Sequence, residues 1–333
     1  MLNKIYEKIK NYIINNRYFL LFLICFVIIL NIKTPYIVTA PGGIIPLSDR
    51  ITIDDKEINS NYYTTYVKVV EGKVAGVLAS FIFPNWDLQK YEKYSGDVDL
   101  KYNDLNKIEK LLMDAGNNQA IITALNKANI KYEKVNNKLV VYYKHDGYIN
   151  DLKIGDVINY CNDVKISNID DLHKCIDKSS DSVKLNVSRN GKSKNIKVNL
   201  YDTEDQKIIG ISLINVFDIK SKYDIDIKSL KSESGSSGSF MTALTIYSEL
   251  VDLKIPKGMK IAGTGTIEED EKVGKIDGIK YKLLGSEKKK VDIFFVPSKN
   301  YKEAIKVKKK YHLKLKIVRV ETIDDAINYL NKL

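Results

Sequence analysis

Cysteine and histidine are scarce in this chain of 333 residues, which contains three of each. The cysteines, Cys25, Cys161 and Cys175, are an odd number without metal-ligand spacing, so neither a disulfide framework nor a metal site is predicted. Three histidines leave little material for a histidine-based metal or catalytic cluster. We therefore expect no metal ion and no cofactor.

Clustered positive charge is also lacking, although 53 Lys and Arg against 42 Asp and Glu give a formal net charge of +11. The lysines are scattered, and no arginine cluster with interleaved aromatic residues occurs, so nucleic acid is not an expected partner. A protein that binds anionic envelope polymers is an alternative that rests on this charge alone. The Walker spacing of a nucleotide-binding loop is absent, which predicts independence from ATP.

One long apolar run, YFLLFLICFVIIL, occupies residues 18–30 between Arg17 and Lys33. It is short for a membrane span of about 20 residues, but apolar flanks and snorkelling basic side chains extend it. We predict a cytoplasmic tail at 1–17 and a single transmembrane anchor at 18–35. Basic residues precede the run, so the positive-inside rule predicts a cytoplasmic N-terminus and an extracytoplasmic remainder.

Two alternatives for the apolar run are a cleaved signal peptide and a buried core helix. VTA at residues 38–40 offers a small-residue cleavage site, but Pro41 directly after it argues against cleavage. A retained anchor is the favoured interpretation.

Residues 36–125 are predicted to form an extracytoplasmic α+β segment. APGGIIP predicts a turn that leads to a strand at Ile51 and Ile53. Aromatic and β-branched residues in YYTTYVKVVEGKVAGVLASFIF predict one or two further strands that end before Pro84. Apolar residues at three- and four-residue steps predict helix over 101–130.

Residues 126–202 change to short strands around one helix. That helix opens on Asn168 as N-cap, and a hairpin is predicted around Asn190-Gly191. The order resembles a PDZ domain, and the resemblance rests on these residues and strands: Leu152, Gly155, Asp156, Ile158, Ile169, Leu172, VKLNVSRNG and IKVNL. PDZ domains add an extended peptide as a strand, so the resemblance implies polypeptide partners. A small structural module is the alternative, and HDGYIND lacks a recognisable carboxylate-binding loop.

The tract ESGSSG at 233–238 is either a flexible linker or a turn that presents a serine. The following SFMTALTIYSEL has helical spacing, and the N-terminus of a helix suits an oxyanion. A nucleophilic serine needs a base, and His312 is the only histidine in this region. The scarcity of histidine favours a lysine as the base.

Two segments, SGSSGSFMTALTIYSEL and GTGTIEEDEKVGKIDGIKYKLLGSEKKKVDIFFVP, resemble the proteolytic domain of the Lon family. The order of anchor, YIVTAPGG, PDZ-like module and this domain resembles the membrane-anchored Lon-like proteases of Gram-positive bacteria. The resemblance implies an α+β fold with a proteolytic domain at 203–333. It also implies a serine endopeptidase that acts on extended polypeptide substrates outside the membrane, and assembly into a homo-oligomer.

Carried over from the family, the nucleophile falls on Ser236, followed by Ser237 and Gly238. The general base falls on Lys282, and the threonine that holds it falls on Thr264. The family usually has Gly-Pro-Ser-Ala-Gly around the nucleophile, so the serine-rich turn of this chain differs, and rival hydroxyls are present at Ser234, Ser237 and Ser239.

Two further points stay open at this stage. Helical periodicity alone would bury Lys280, whereas the family register selects Lys282. A catalytically silent, membrane-anchored PDZ scaffold that binds partner polypeptides is the alternative function, because the serine turn departs from the family pattern.

Overall fold

The computed structural model of the protein describes residues 2–90, 102–230 and 232–333. The chain divides into two compact units, Met1–Pro41 with Val67–Asp99 and Gly42–Tyr66 with Leu100–Leu333. Two long strands, β1 (Lys33–Pro46) and β4 (Tyr62–Lys73), pass from one unit into the other. Each part of these strands is described with its own unit.

The first unit contains the apolar run. Its helices are α1 (Leu2–Asn15), α2 (Arg17–Leu30) and α3 (Val74–Ile82), and its strands are β5 (Asp87–Lys90) and the adjoining parts of β1 and β4. Strands β1 and β5 pair antiparallel, from Tyr36 opposite Lys90 to Thr39 opposite Asp87. Neither α2 nor α3 has a buried residue.

The predicted anchor at 18–35 is shorter as a helix than expected, because α2 ends at Leu30 and β1 begins at Lys33. Among the described residues, no unbroken helix is long and apolar enough to cross a bilayer. The pair Ile5–Asn15 and Arg17–Leu30, bent by 75°, meets the length and composition of a span when taken together.

Helix α3 corrects the prediction of strand up to Pro84. Only the first part of that segment is strand, and VAGVLASFI forms the helix. The nine residues are almost all apolar, so they show no alternation, and periodicity cannot separate helix from strand in so short a run. The N–H of Val74 bonds to the carbonyl of Ile32, 3.0 Å away, where α2 has just ended.

APGG forms strand rather than the predicted turn, because β1 continues to Pro46. A Cβ on Gly42 would lie 2.0 Å from the carbonyl oxygen of Tyr66 on β4. Glycine at this position therefore serves the close approach of two strands and not a change of chain direction.

The central sheet of the second unit has the order β19-β18-β15-β4-β1. Its other strands are β15 (Ile261–Gly263), β18 (Ile293–Pro297) and β19 (Lys316–Val320), and β15 pairs parallel with both β4 and β18. Alternate residues of β18 face opposite sides: Phe295 lies in one core, and Phe294 and Val296 lie in another.

Helices cover both faces of this sheet. The core that contains Phe295 includes residues of α4 (Tyr102–Lys127), α6 (Ser239–Leu250) and α9 (Ile323–Leu330). The core that contains Phe294 includes residues of α7 (Ile279–Lys288) and α8 (Tyr301–Tyr311). Helix α4 lies within the helix predicted at 101–130, and it packs against α6 although well over a hundred residues separate them in the chain.

A second sheet forms between α4 and α6 in the chain, with the order β10-β9-β7-β6-β13. This stretch of chain contains β6 (Tyr132–Lys144), β7 (Val157–Cys161), β8 (Val164–Lys165), α5 (Ile169–Asp177), β9 (Ser182–Arg189), β10 (Lys192–Asn199), β11 (Tyr201–Asp202), β12 (Lys207–Ile208) and β13 (Ile211–Ser221). Strand β8 pairs with β7, and β11 and β12 form a separate two-stranded sheet. We call residues 132–221 the inserted module. Because β13 pairs with β6, this sheet continues past residue 202, where the PDZ-like domain was predicted to end.

Local predictions for the inserted module are confirmed. The side chain of Asn168 accepts a hydrogen bond from the N–H of Asp171 at 2.9 Å and caps α5. Strands β9 and β10 form the hairpin, whose turn residues Asn190 and Gly191 have positive φ angles of 51° and 74°.

The prediction that no disulfide forms is wrong for Cys161 and Cys175. These residues are bonded, with Cα atoms 6.3 Å apart, and the bond links the end of β7 to α5. Cys25, the free third cysteine, lies in the apolar helix α2. The odd total therefore combined a bonded pair in one part of the chain with an unrelated cysteine in another.

Short strands complete the second unit and lead to the serine tract. Strands β2 (Ile51–Ile53), β3 (Lys56–Glu57) and β14 (Ile225–Ile227) form a small sheet, and β16 (Thr266–Ile267) pairs with β17 (Val273–Gly274). The predicted strand at Ile51 and Ile53 is confirmed.

Candidate active site

The serine tract is an ordered turn and not a flexible linker. Residues Ser236–Gly238 form a single 3-10 turn that leads directly into α6. Gly235, with φ 93°, allows the chain to turn, and its N–H bonds to the carbonyl of Glu109 on α4 at 3.0 Å. Before the turn, the carboxylate of Glu233 accepts a hydrogen bond from Arg50 at 2.5 Å. Contacts with Glu109 and Arg50 thus fix the chain where it enters the turn.

Lys282 is buried on the first turns of α7 and points at this serine turn. With 3% exposure, it is the only Lys or Arg of the described residues that is buried. The Nζ atom lies 2.6 Å from Oγ of Ser237 and 2.8 Å from Oγ1 of Thr264. Lys280 is only half-buried. The buried lysine is therefore the one that the family resemblance selects, and not the one that helical periodicity selects.

Thr264 connects the lysine to the serine turn. Its hydroxyl lies within hydrogen-bond distance of Nζ of Lys282 and donates to the carbonyl of Ser237 at 3.0 Å. The N–H of Gly265 donates to the same carbonyl at 2.8 Å. Two donors on one carbonyl hold Ser237 in place opposite the lysine.

The serine beside Lys282 is Ser237, and not Ser236, on which the family register placed the nucleophile. Ser236 faces α4, where its Cβ lies 3.0 Å from the position that a Cβ on Gly116 would take. Ser239 is buried and its hydroxyl accepts a hydrogen bond from the N–H of Ile267 at 3.0 Å. Ser234 is exposed. Among these serines, the hydroxyl that contacts the buried amine belongs to Ser237.

The electrostatics of the site favour a neutral amine. Burial lowers the pKa of Lys282 to about 7, and the negative charge of Asp277 offsets part of that shift. Burial also raises the pKa of Glu109, and the nearby charge of Asp277 adds to the rise. Near neutral pH a substantial fraction of Lys282 is therefore unprotonated and able to accept a proton.

Several residues around the site come from parts of the chain that the sequence assigned to another domain. Glu109 and Gly116 lie on α4, within the predicted segment 36–125, and both approach the serine turn. Thr64 lies on β4, and its Oγ1 is 2.7 Å from the position that a Cβ on Gly238 would take. These residues are far from the serine tract in sequence, so nothing in the sequence indicated that they lie close to it in the fold.

These contacts bring together a serine hydroxyl, a buried amine with a lowered pKa, and the N-terminus of a helix. A lysine amine that is neutral near pH 7 can act as a general base toward a hydroxyl within hydrogen-bond reach. The positive end of the α6 dipole favours the negative charge of a tetrahedral intermediate. In the part of the chain that the structure describes, no group of three or more His, Cys, Asp or Glu side chains is arranged to bind a metal ion.

Comparison with known proteins finds similarity to a peptidase family model and to a solved PDZ domain. Residues 226–332 match the family model of the Lon protease (S16) C-terminal proteolytic domain. The crystal structure of the PDZ domain of an SdrC-like protein from Listeria monocytogenes matches 23% of this chain and 86% of its own, with 21% identity and a TM-score of 0.21. Among curated proteins, no sequence match to the chain is found.

Proposed function

We propose, from the Lon-type serine peptidase domain that this chain carries, that the protein is an ATP-independent endopeptidase with a Ser-Lys dyad. Ser237 is the nucleophile and Lys282 the general base, while Thr264 orients both. The observation that carries the proposal is the 2.6 Å contact between the Ser237 hydroxyl and the buried amine of Lys282.

The proposed reaction has two steps. In the first, the neutral amine of Lys282 takes the hydroxyl proton as Oγ of Ser237 attacks a peptide carbonyl. The resulting ammonium gives that proton to the leaving amine, and an acyl-enzyme remains. In the second step, the amine takes a proton from water as the water attacks the ester, and the proton returns to Ser237. The hydrogen bonds to the carbonyl of Ser237 support this by fixing the nucleophile in position.

The first test is proteolysis without nucleotide. We expect the full-length chain, purified in mild detergent, to cleave an unfolded protein such as casein, and added ATP with Mg²⁺ to leave the rate unchanged. Cleavage is followed by the appearance of new peptides in mass spectrometry. The silent-scaffold hypothesis would replace this proposal if the chain bound unfolded polypeptide and produced no new peptides.

We further propose that the first unit anchors the protein in a membrane, with the peptidase outside the cytoplasm. Two features support the location. Helices α2 and α3 are rich in apolar residues and have no buried residue, and Phe81 and Ile82 of α3 are 78% and 74% exposed. The Cys161–Cys175 disulfide is typical of proteins outside the reducing cytosol.

The location gives a second expected result. In producing cells, the full chain should remain in the membrane fraction after an alkaline carbonate wash, whereas a variant without residues 1–32 should be released. Protease added outside intact protoplasts should digest the peptidase domain. Complete extraction of the full chain by carbonate, or protection of the domain from external protease, would contradict the anchored topology.

The inserted module is proposed to bind extended polypeptide and supply it to the peptidase. Strand β13 of this module packs on α4, the helix that contacts the serine turn. The carbonyl of Phe217 on β13 accepts a hydrogen bond from Asn118 of α4 at 2.7 Å. Polypeptide bound to the module would therefore lie on the same structural unit as the site that cleaves it.

A further inference from the structure

Thr64 has a buried hydroxyl for which no hydrogen-bond partner exists among the described residues. Buried polar groups are nearly always paired, since leaving one without a partner costs desolvation free energy. An unpaired hydroxyl next to a reactive site therefore needs an explanation in terms of what it could bind.

The position of Thr64 in the fold points its side chain at the serine turn. On β4, Thr64 lies opposite Gly263, the residue before Thr264. Residues two apart on a strand share a face, and Tyr62 on β4 contacts the C-terminal part of α6 through a 3.2 Å hydrogen bond with Ser248. Thr64 meets the other end of the same helix, because its Oγ1 lies 2.7 Å from the Cβ position of Gly238.

Glycine at position 238 preserves the space for this hydroxyl. A Cβ on Gly238 would lie 2.7 Å from Oγ1 of Thr64, closer than the two atoms can approach without one of them moving. The hydroxyl thus lies beside the residue that follows the Ser237 nucleophile, at the N-terminus of α6. In acyl transfer, the carbonyl oxygen that becomes negatively charged is stabilised by donors near the nucleophile, and hydroxyl side chains can serve as such donors.

We propose that Thr64 is a catalytic residue whose hydroxyl donates a hydrogen bond to the oxyanion that forms when Ser237 attacks the scissile carbonyl. The inference rests on the proposed function, since it requires cleavage at Ser237. The threonine keeps its proton throughout, and no bond to it forms or breaks. The hydrogen bond is made to the substrate and is strongest in the tetrahedral intermediate, so it lowers the barrier without requiring tighter binding of the peptide.

Three variants of the full-length chain in detergent test the proposal on one fluorogenic peptide. Thr64→Val removes the hydroxyl at nearly constant shape and should lower kcat by roughly 10²- to 10³-fold with little change in KM. Thr64→Ser keeps a hydroxyl and should restore kcat to within about tenfold of the parent. Ser60→Ala removes another buried, unpaired hydroxyl, which lies four residues earlier in the same segment, and should leave kcat unchanged.

Two more readouts separate catalysis from a structural effect. The melting temperature of Thr64→Val should equal or exceed that of the parent, since an unpaired buried hydroxyl is removed. The midpoint of its pH-rate profile should stay that of the parent, since Lys282 is not moved. A Thr64→Val variant with parental kcat overturns the inference alone. If Thr64→Val and Thr64→Ser lose kcat equally, or if the midpoint of the pH-rate profile shifts, the inference is overturned. Thr64 would then act by packing against the serine turn and not by donating a hydrogen bond. An inert parent overturns the proposed function and this inference together.

Discussion

Ser237→Ala is expected to reduce kcat/KM for peptide cleavage by at least roughly 10⁴-fold, because no other hydroxyl of the serine turn contacts the base. Removal of a nucleophile eliminates the acyl-enzyme route, and what remains is the contribution of substrate binding and oxyanion stabilisation. The measurement is the initial rate on a fluorogenic peptide, with circular dichroism to confirm that the variant is folded. An acyl-enzyme trapped on the parent and mapped by mass spectrometry should carry the label on Ser237.

The matched control is Ser236→Ala in the same turn. Ser236 faces Gly116 on α4, so loss of its hydroxyl removes no contact with Lys282, and we expect kcat/KM within about tenfold of the parent. Both variants replace a serine by alanine, and they differ only in which of two adjacent positions is changed. If Ser236→Ala were inactive and Ser237→Ala active, the nucleophile would be Ser236 and the turn would have to rearrange when substrate binds.

The second large effect concerns Lys282. We expect Lys282→Met to lower kcat by roughly 10³-fold, because the general base is lost while the buried shape is kept. In the parent, kcat/KM should rise about tenfold per pH unit below the midpoint, since one deprotonation activates the base. Because burial places the pKa of Lys282 at about 7, the profile should level off above that pH. A rate that kept rising to pH 10 would show that the lysine keeps an ordinary pKa.

The same lysine makes stability depend on pH in a defined direction. The folded protein releases the Lys282 proton at a pKa of about 7, and an unfolded lysine does so at about 10.4. Between these values the unfolded state binds more protons, so the free energy of unfolding should rise with pH, by at most about 1.4 kcal/mol per unit.

The free energy of unfolding should stop rising above about pH 10.4, where Lys282 is neutral in both states. Below the folded pKa, burial of the charged lysine should lower the free energy of unfolding by a constant amount. Lys282→Met removes the free-energy cost of burying a charged amine, so the variant should be more stable than the parent at pH 7. Its advantage should shrink toward pH 10 in denaturant titrations. An advantage that is independent of pH would contradict the lowered pKa.

The part of the site that could be predicted from the sequence came from the resemblance to the Lon family, which selects Lys282 and Thr264. Helical periodicity alone favoured Lys280, whereas the structure places Nζ of Lys282 2.8 Å from Oγ1 of Thr264. The resemblance placed the nucleophile on Ser236, whereas the hydroxyl beside Lys282 belongs to Ser237. Four serines in six residues, 234–239, offer no spacing that distinguishes one hydroxyl from the next.

Other parts of the fold depend on contacts that sequence patterns do not contain. Gly42 suggests a turn until Tyr66 is placed against it, and the apolar residues of α3 are compatible with a strand until the helix is seen. The disulfide was missed because cysteine number and spacing are poor guides when one cysteine, Cys25, lies in an apolar helix. Thr64 and Glu109 were missed because long-range packing alone brings them to the serine turn.

The inserted module divides the peptidase into two separated stretches of chain. Strand β4 and helix α4, which line the serine turn, are synthesised before residue 132, and Ser237 and Lys282 come after residue 221. A ribosome that has completed the first stretch must produce the whole module before Ser237 or Lys282 exists. The candidate site can therefore assemble only after residue 282 has been synthesised, so a nascent chain that ends before Lys282 has no complete site with which to digest itself or its neighbours.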